Sequence, residues 1–118
     1  MAKAKVSLTM IVRNEERNLP ACLESVHGLF DEIVVVDTGS TDSTKEIAIR
    51  FGARIVDFIW VDDFSAARNV ALDNAIGDYA IWLDADDMIE PSEREKLAAL
   101  FGQLDSDSKD AYVLRCIC

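Results

Sequence analysis

The sequence predicts an α/β protein with a doubly wound, mostly parallel β-sheet and helices on both faces. Short apolar runs, each long enough for one strand, alternate with segments of helical periodicity over almost the whole chain. Two of these runs, EIVVVD and YAIWL, are apolar without alternation, as in strands that are buried on both faces. Polar clusters follow the runs, so we expect them to meet at the carboxyl edge of the sheet, where such folds bind ligands.

The first half of the chain predicts strand, helix, strand and helix in that order. VSLTMIV is the first strand, and the polar RNEE follows it. The next helix is indicated by apolar residues at helical spacing, namely Leu19, Leu23, Val26 and Phe30. The second strand, EIVVVD, ends in the turn formers TGSTDST, and a second helix covers about residues 43–51 and stops at Gly52.

The second half of the chain repeats this alternation. Its predicted elements are a strand within 54–61, a helix over about 62–76 closed by Gly77, the strand YAIWL, a helix from Pro91 to Gly102 and a strand that begins near Ala111. The 118 residues, half of them hydrophobic, can build one core and are too few for two. We therefore expect a single domain over residues 1–118.

Charge and cysteine usage limit the partners. The chain has 22 acidic and 12 basic side chains, a net charge of −10 and no basic run, so a nucleic acid partner is not expected. No apolar stretch reaches the length of about 18 residues that a membrane span needs. The three cysteines Cys22, Cys116 and Cys118 form no even disulfide framework, which favours the cytoplasm. Such an acidic protein needs a divalent cation or isolated arginines to bind a nucleotide diphosphate.

Polar clusters follow the first, second and fourth predicted strands and should meet at one edge. Asp37 ends the second strand, where an acidic side chain can accept hydrogen bonds from a nucleoside, although a helix cap or an Asx-turn is an alternative. Residues 9–16 contain no glycine, so a G-x-G-x-x-G turn that would cradle a pyrophosphate is absent. The phosphates must therefore be neutralised elsewhere.

The acidic segment LDADD offers that neutralisation. Asp84 and Asp86 lie two residues apart and can direct oxygen ligands to one hard cation, although a solvated acidic turn is the alternative. Mg²⁺ or Mn²⁺ typically takes one or two protein carboxylates and completes its shell with water and substrate phosphates. Arg68 can reach a phosphate or this acidic cluster, or it pairs with Asp62 or Asp63.

These segments together resemble the donor-binding half of the family 2 glycosyltransferases, which have the GT-A fold. The matching motifs are TMIVRNEE, IVVVDTGSTDST, the ARN of residues 67–69 and GDYAIWLDADD, which extend from residue 6 to about 104. The resemblance implies a hexosyltransferase-like enzyme that binds a nucleotide-diphosphate sugar, with a UDP-sugar favoured. It also implies transfer, with inversion, to an acceptor hydroxyl on a glycan, a lipid-linked molecule or a peptide.

The resemblance assigns nucleotide-binding roles by position. Thr9, Arg13 and Glu15 would line the base and the ribose, and Asp37 would accept a hydrogen bond from the base. Arg68 would face the diphosphate.

The resemblance also assigns the metal site and places the general base outside the chain. Asp84 would bind the ribose or a metal-bound water, and Asp86 would coordinate Mg²⁺ or Mn²⁺, which stabilises the departing nucleoside diphosphate. No residue matches the carboxylate that deprotonates the acceptor. We therefore expect the catalytic base and the acceptor pocket to lie beyond residue 118, and the chain to bind the donor but transfer poorly by itself.

Two other functions are compatible with the residues. A receiver-type phosphoacceptor domain is also an acidic α/β protein of this size that uses Mg²⁺; Asp57 would be its phosphoacceptor and Lys109 its late lysine, although neither has the expected flanking pattern. A non-catalytic module that binds a nucleotide sugar would keep the same pocket and perform no transfer.

Overall fold

The computed structural model describes residues 5–59, 63–86, 88–103 and 113–115. Within them strands and helices alternate as the sequence predicts: β1 (Val6–Val12), α1 (Leu19–Ser25), β2 (Glu32–Asp37), α2 (Thr44–Arg50), β3 (Arg54–Asp57), α3 (Phe64–Asn74), β4 (Tyr79–Trp82), α4 (Pro91–Gln103) and β5 (Val113–Arg115). Cys116, Cys118, Asp62, Asp87 and Lys109 lie outside the described residues. No helix in the described part of the chain is long and apolar enough to cross a membrane.

The five strands form one parallel sheet in the order β3-β2-β1-β4-β5. The chain moves outward from β1 to β3 and then crosses to β4 on the other side of β1, so the topological switch lies between β1 and β4. This confirms the doubly wound α/β class. It also shows that the receiver alternative is wrong, because receiver domains have the order 2-1-3-4-5, in which β1 lies between β2 and β3.

Helices cover both faces of this sheet. On one face, alternate residues of β1 share a buried cluster with residues of α1, α2 and α4; its members include Leu8, Met10, Leu23, Ala48 and Phe101. Helix α3 contacts β1 and β2 and buries Ala67 and Ala71 outside that cluster. The opposite face of β1 carries the small buried residues Ser7 and Thr9, so α3 can pack closely there.

Two helices end earlier than their periodicity predicts. Helix α1 ends at Ser25, because the chain turns at Gly28, which has a φ of 78°. Phe30, counted as helical from its spacing, lies beyond the helix and packs on Phe101 with ring centroids 5.5 Å apart. Helix α3 ends at Asn74, so Gly77 does not close it.

Gly77 is needed for a close approach to β1. A Cβ at this position would lie 2.4 Å from Oγ of Ser7 and 3.0 Å from the carbonyl oxygen of Lys5. Gly77 also donates its backbone N–H to Oγ of Ser7 over 2.9 Å. The glycine therefore holds the connection to β4 against the sheet.

We expect Gly77→Ala to lower the free energy of unfolding by about 1–3 kcal/mol, the usual cost of overpacking a tight contact. The clash is chiefly with the Ser7 hydroxyl, so Ser7→Ala combined with Gly77→Ala should cost less than the sum of the single changes. Urea unfolding of the four proteins measures this coupling. Strict additivity would show that the contact does not limit position 77.

Candidate functional site

The loop after β1 is bound to the loop after β2 through Asn14. Its backbone N–H donates to Oγ of Ser40 over 2.9 Å, and its side-chain Oδ1 accepts from the backbone N–H of Thr41 over 2.8 Å. Asn14 has a φ of 52°, in the left-handed region that asparagine tolerates better than most residues. This residue gives the glycine-free loop its sharp turn and joins two of the polar clusters.

The same two loops also form the start of α2. The backbone N–H of Glu15 donates to Oγ1 of Thr44 over 2.8 Å, and Oε2 of Glu16 accepts from the backbone N–H of Ser43 over 3.1 Å. The hydroxyl of Thr44 donates to Asp42 and thereby lowers the pKa of that carboxyl group. Many groups of these loops are therefore used to hold one another in place, which leaves fewer for a ligand.

Asp37 is the buried acidic residue at the end of β2. Its Oδ1 accepts from the backbone N–H groups of Gly39 and Ser40 over 3.0 and 2.8 Å, so it forms the turn that the alternative interpretation proposed. Its Oδ2 is buried and accepts no hydrogen bond from any residue that the structure describes, and Asp37 is only 1% exposed. A buried polar atom without a partner is costly, by about 1–3 kcal/mol, and calls for an explanation such as a ligand.

Asp37 lines a pocket of about 350 Å³. It is lined by Asp37, Gly39, Ser40, Lys45, Asp57, Phe58 and Ile59. Polar atoms that converge in a pocket with apolar walls are typical of small-molecule sites. The side chain of Ile59 is 85% exposed at this pocket, which leaves an apolar surface uncovered.

Lys45 supplies a cation to the pocket. Asp37 and Asp57 are neighbours in the register of β2 and β3, an arrangement in which two carboxylates repel. Nζ of Lys45 lies 2.8 Å from Oδ1 of Asp57, and this hydrogen bond and charge raise the pKa of Lys45, with a further contribution from Asp37. The lysine thus offsets the repulsion and places an ammonium group beside the buried carboxylate.

The acidic turn, which begins at Asp84 and carries Asp86, follows β4 on the other side of β1. Asp84 is half-buried, Ala85 is buried and Asp86 is exposed. The Sγ of Cys22 donates to the carbonyl oxygen of Asp84 over 3.6 Å, and the backbone N–H of Ile89 donates to a side chain of α1. The turn therefore presents two carboxylates of different exposure on an anchored backbone.

The donor set of this turn fits a hard divalent cation. No group of three or more His, Cys, Asp or Glu side chains in the described ranges is arranged to hold a metal ion. Two carboxylates are nevertheless enough for Mg²⁺ or Mn²⁺, because these ions take their remaining ligands from water and phosphates. Asp84 and Asp86 can therefore hold such an ion together with a phosphorylated ligand.

Arg68 of α3 lies beside the strand that leads into the acidic turn. Its guanidinium carbon is 3.8 Å from the ring centroid of Trp82, a cation–π arrangement that helps to fix the side chain. Asp63, a predicted alternative partner, caps α3 by accepting from the backbone N–H of Ala66 over 3.2 Å. The structure thus brings Arg68 close to the end of β4.

Residues 7–114 match the profile of Glycosyl transferase family 2. The chain belongs to this family. Its fold is GT-A, as the solved structures it resembles also show. Residues of TarS from S. aureus superpose with a TM-score of 0.70 at 28% identity, covering 80% of this chain and 31% of that one.

A second solved relative of this family 2 domain carries ligands. Glucosyl-3-phosphoglycerate synthase from Mycobacterium tuberculosis, in complex with Mn²⁺, UDP and glucosyl-3-phosphoglycerate, superposes with a TM-score of 0.61 at 28% identity. The similarity covers 72% of this chain and 36% of the synthase chain.

Curated relatives of the domain are much longer proteins. A TPR repeat-containing protein of Synechococcus elongatus is 54% identical over 113 residues, which is 96% of this chain and 27% of that protein. The SPbeta prophage-derived glycosyltransferase SunS of Bacillus subtilis is 33% identical over 111 residues, 92% of this chain and 26% of SunS. The chain thus spans about a quarter of each.

The remaining predicted residues of the family 2 domain lie in different surroundings. Thr9 is 3% exposed in β1, and its Oγ1 donates to the carbonyl oxygen of Ile81 over 3.1 Å, so the side chain is engaged inside the sheet. Arg13 is exposed and makes no hydrogen bond or ion pair with the described residues. Oε2 of Glu15 accepts from Nδ2 of Asn18 over 3.2 Å. Of the three, Arg13 is the side chain with nothing holding it in place.

Proposed function

We propose that this domain binds a nucleotide-diphosphate sugar, with a UDP-sugar favoured, together with a divalent metal, and that it acts in transfer of the sugar to an acceptor hydroxyl with inversion. The observation that carries the proposal is Asp37, whose buried Oδ2 accepts no hydrogen bond from the described residues and which lines a pocket at the carboxyl edge of a family 2 glycosyltransferase sheet. The Mn²⁺ and UDP in the complex of the M. tuberculosis synthase support the same ligand class.

Asp37 would select the base. A carboxylate can only accept hydrogen bonds, and N3 of uracil carries a hydrogen that it can donate. N3 of cytosine is an acceptor, so cytosine would set two acceptors against each other. Lys45 can donate to a ring carbonyl of uracil, because its ammonium group has three donors.

Asp84 and Asp86 would hold the metal, and Arg68 would face the diphosphate. A bound Mg²⁺ or Mn²⁺ supplies Lewis-acid stabilisation of the charge on the departing nucleoside diphosphate. Arg68 would add a fixed positive charge, which matters in a chain whose net charge is −10. Arg13, exposed on the loop after β1, would contact the ribose or the base.

The domain would supply the donor half of the reaction, as a single unit over residues 1–118. The general base and the acceptor site, for a glycan, a lipid-linked molecule or a peptide, would be supplied from outside these residues. We propose that this chemistry takes place in the cytoplasm. Binding of the donor is therefore the activity to test on this chain, and efficient turnover by the chain alone is not expected.

Thermal unfolding with a panel of nucleotides tests the function. We expect UDP and UDP-sugars with Mn²⁺ to raise the melting temperature, because a ligand at 100 times its Kd stabilises the native state by about 2.7 kcal/mol. Chelation of the metal should remove most of this shift, and CDP should give a smaller one than UDP. Equal shifts with CDP and UDP would contradict the role of Asp37, and no shift with any nucleotide would contradict donor binding.

A further inference from the structure

The last turn of α1 holds both ends of the acidic turn. The Sγ of Cys22 donates to the carbonyl oxygen of Asp84 over 3.6 Å, at the start of the turn. The Oγ of Ser25 accepts from the backbone N–H of Ile89 over 3.1 Å, at its end. Asp86, which carries the exposed carboxylate, lies between these two attachments.

The hydroxyl of Ser25 both donates within α1 and accepts from the chain that follows the acidic turn. Its single hydroxyl proton is donated to the carbonyl oxygen of Cys22 over 2.6 Å. The lone pairs are therefore directed away from that bond, and one of them receives the N–H of Ile89. The hydroxyl thus links the backbone of α1 to the backbone of the turn in a fixed geometry.

Arg94 of α4 holds the end of α1 from the other side. Its Nη1 donates to the carbonyl oxygen of Ser25 over 3.1 Å, and its Nη2 donates to the carbonyl oxygen of His27. Helix α1 has no basic residue in its own last turn, so this guanidinium supplies the positive charge that helix carboxyl ends favour. The attachment points for the acidic turn are therefore themselves fixed.

Buried side chains add to this anchoring. Ala85 and Ile89 are 5% and 4% exposed and belong to the same core cluster as Cys22. Packing therefore adds to the hydrogen bonds in fixing the chain at Ala85 and at Ile89, while Asp86 stays exposed. Substitution of a residue that orients the ligands of a metal commonly lowers the metal affinity about 10- to 100-fold.

We propose that Ser25 and Cys22 are positioning residues for the acidic turn. They fix its backbone so that Asp84 and Asp86 converge on one divalent cation when a nucleotide diphosphate is bound. The inference rests on the proposed donor-binding function and adds to it the element that sets the geometry of the metal site. Neither residue is among those proposed to contact the donor or the metal.

The test is Mn²⁺ binding by the 118-residue chain in the presence of saturating UDP. Electron paramagnetic resonance of free Mn²⁺ and calorimetry measure this binding. Ser25→Ala removes the link, and we expect the Kd for Mn²⁺ to rise about 10- to 100-fold. Ser25→Thr keeps the hydroxyl and should bind Mn²⁺ nearly as the native chain does. Cys22→Ala removes a weaker donor and should give a smaller rise.

Two controls separate positioning from a general loss of structure. Ser92→Ala removes an exposed hydroxyl of α4 that has no hydrogen bond to the described residues, and it should leave Mn²⁺ binding unchanged. Uridine binding in the presence of a chelator reports on the pocket at Asp37, and it should be the same in all variants.

The outcomes distinguish this inference from the function on which it rests. Native-like Mn²⁺ binding by Ser25→Ala would overturn the positioning role while donor binding stands. An equal loss in Ser25→Thr, or a parallel loss of uridine binding, would also overturn it, because packing would then explain the effect. Failure of the native chain to bind Mn²⁺ with UDP would instead remove the metal-dependent function and the inference together.

Discussion

Asp37→Asn should abolish the preference of the domain for uridine over cytidine nucleotides. The carboxylate has one oxygen bound to backbone amides and one buried oxygen without a partner among the described residues. An asparagine can keep the first set of bonds through its Oδ1, but it then turns an NH₂ group towards the pocket. This group donates, so it repels N3–H of uracil and pairs with N3 of cytosine.

We expect the affinity for UDP to fall about 10- to 100-fold, since a hydrogen bond to a charged group contributes about 1.5–3 kcal/mol. The affinity for CDP should stay the same or rise, and calorimetric titration of both nucleotides measures the ratio. A misfolded variant would lose both ligands, so the ratio separates base selection from damage to the fold. Equal losses for UDP and CDP would contradict the assignment.

Asp57→Asn is the matched control for this change. It alters the same pocket by the same chemistry, but the side chain of Asp57 is 70% exposed and its partner is the partly exposed Lys45. Exposed ion pairs contribute only about 0–1 kcal/mol. The ratio of UDP to CDP affinity should therefore change little in this variant.

The alternation of strands and helices was predictable from the sequence. Buried parallel strands appear as short continuous apolar runs, whereas the apolar residues of the connecting helices recur at helical spacing. The meeting of the polar clusters at the carboxyl edge was also predictable, because parallel strands end at the same edge. Asp37 indeed ends β2 and Asp84 follows β4, the two strands that flank β1 in the sheet. Helix ends were less predictable. Phe30 kept helical spacing although it lies outside α1, because the core accepts an apolar side chain from a turn as well as from a helix.

The site was predicted less completely, because its details depend on contacts between distant segments. Lys45 gave no signal in the sequence, where a lysine in the first turn of a helix is ordinary. Its importance follows from the register that places Asp37 beside Asp57. Asn14 lies inside a predicted motif, but its bonds to the loop after β2 could be recognised only once that loop was placed.

Asp86→Ala should make UDP binding independent of the metal. The native chain is expected to bind UDP much more tightly with Mn²⁺ than with a chelator, because the ion offsets repulsion between the phosphates and an acidic protein. Orienting partners of a metal ligand already contribute about 10- to 100-fold to metal affinity, so loss of a direct ligand should cost more than about 100-fold. Calorimetry with Mn²⁺ and with the chelator gives the two affinities for each protein.

Glu90→Ala is the control that separates metal binding by Asp86 from the effect of removing one negative charge. Both residues are exposed carboxylates close to α4, and both changes reduce the net negative charge by one. In the chelator, each variant should bind UDP slightly more tightly than the native chain, because long-range repulsion falls. With Mn²⁺ the two should diverge, since Glu90→Ala keeps the metal-dependent gain and Asp86→Ala loses it. If Asp86→Ala kept the increase in UDP affinity that Mn²⁺ produces, Asp86 would act only through its charge. The metal would then have to be held by other residues.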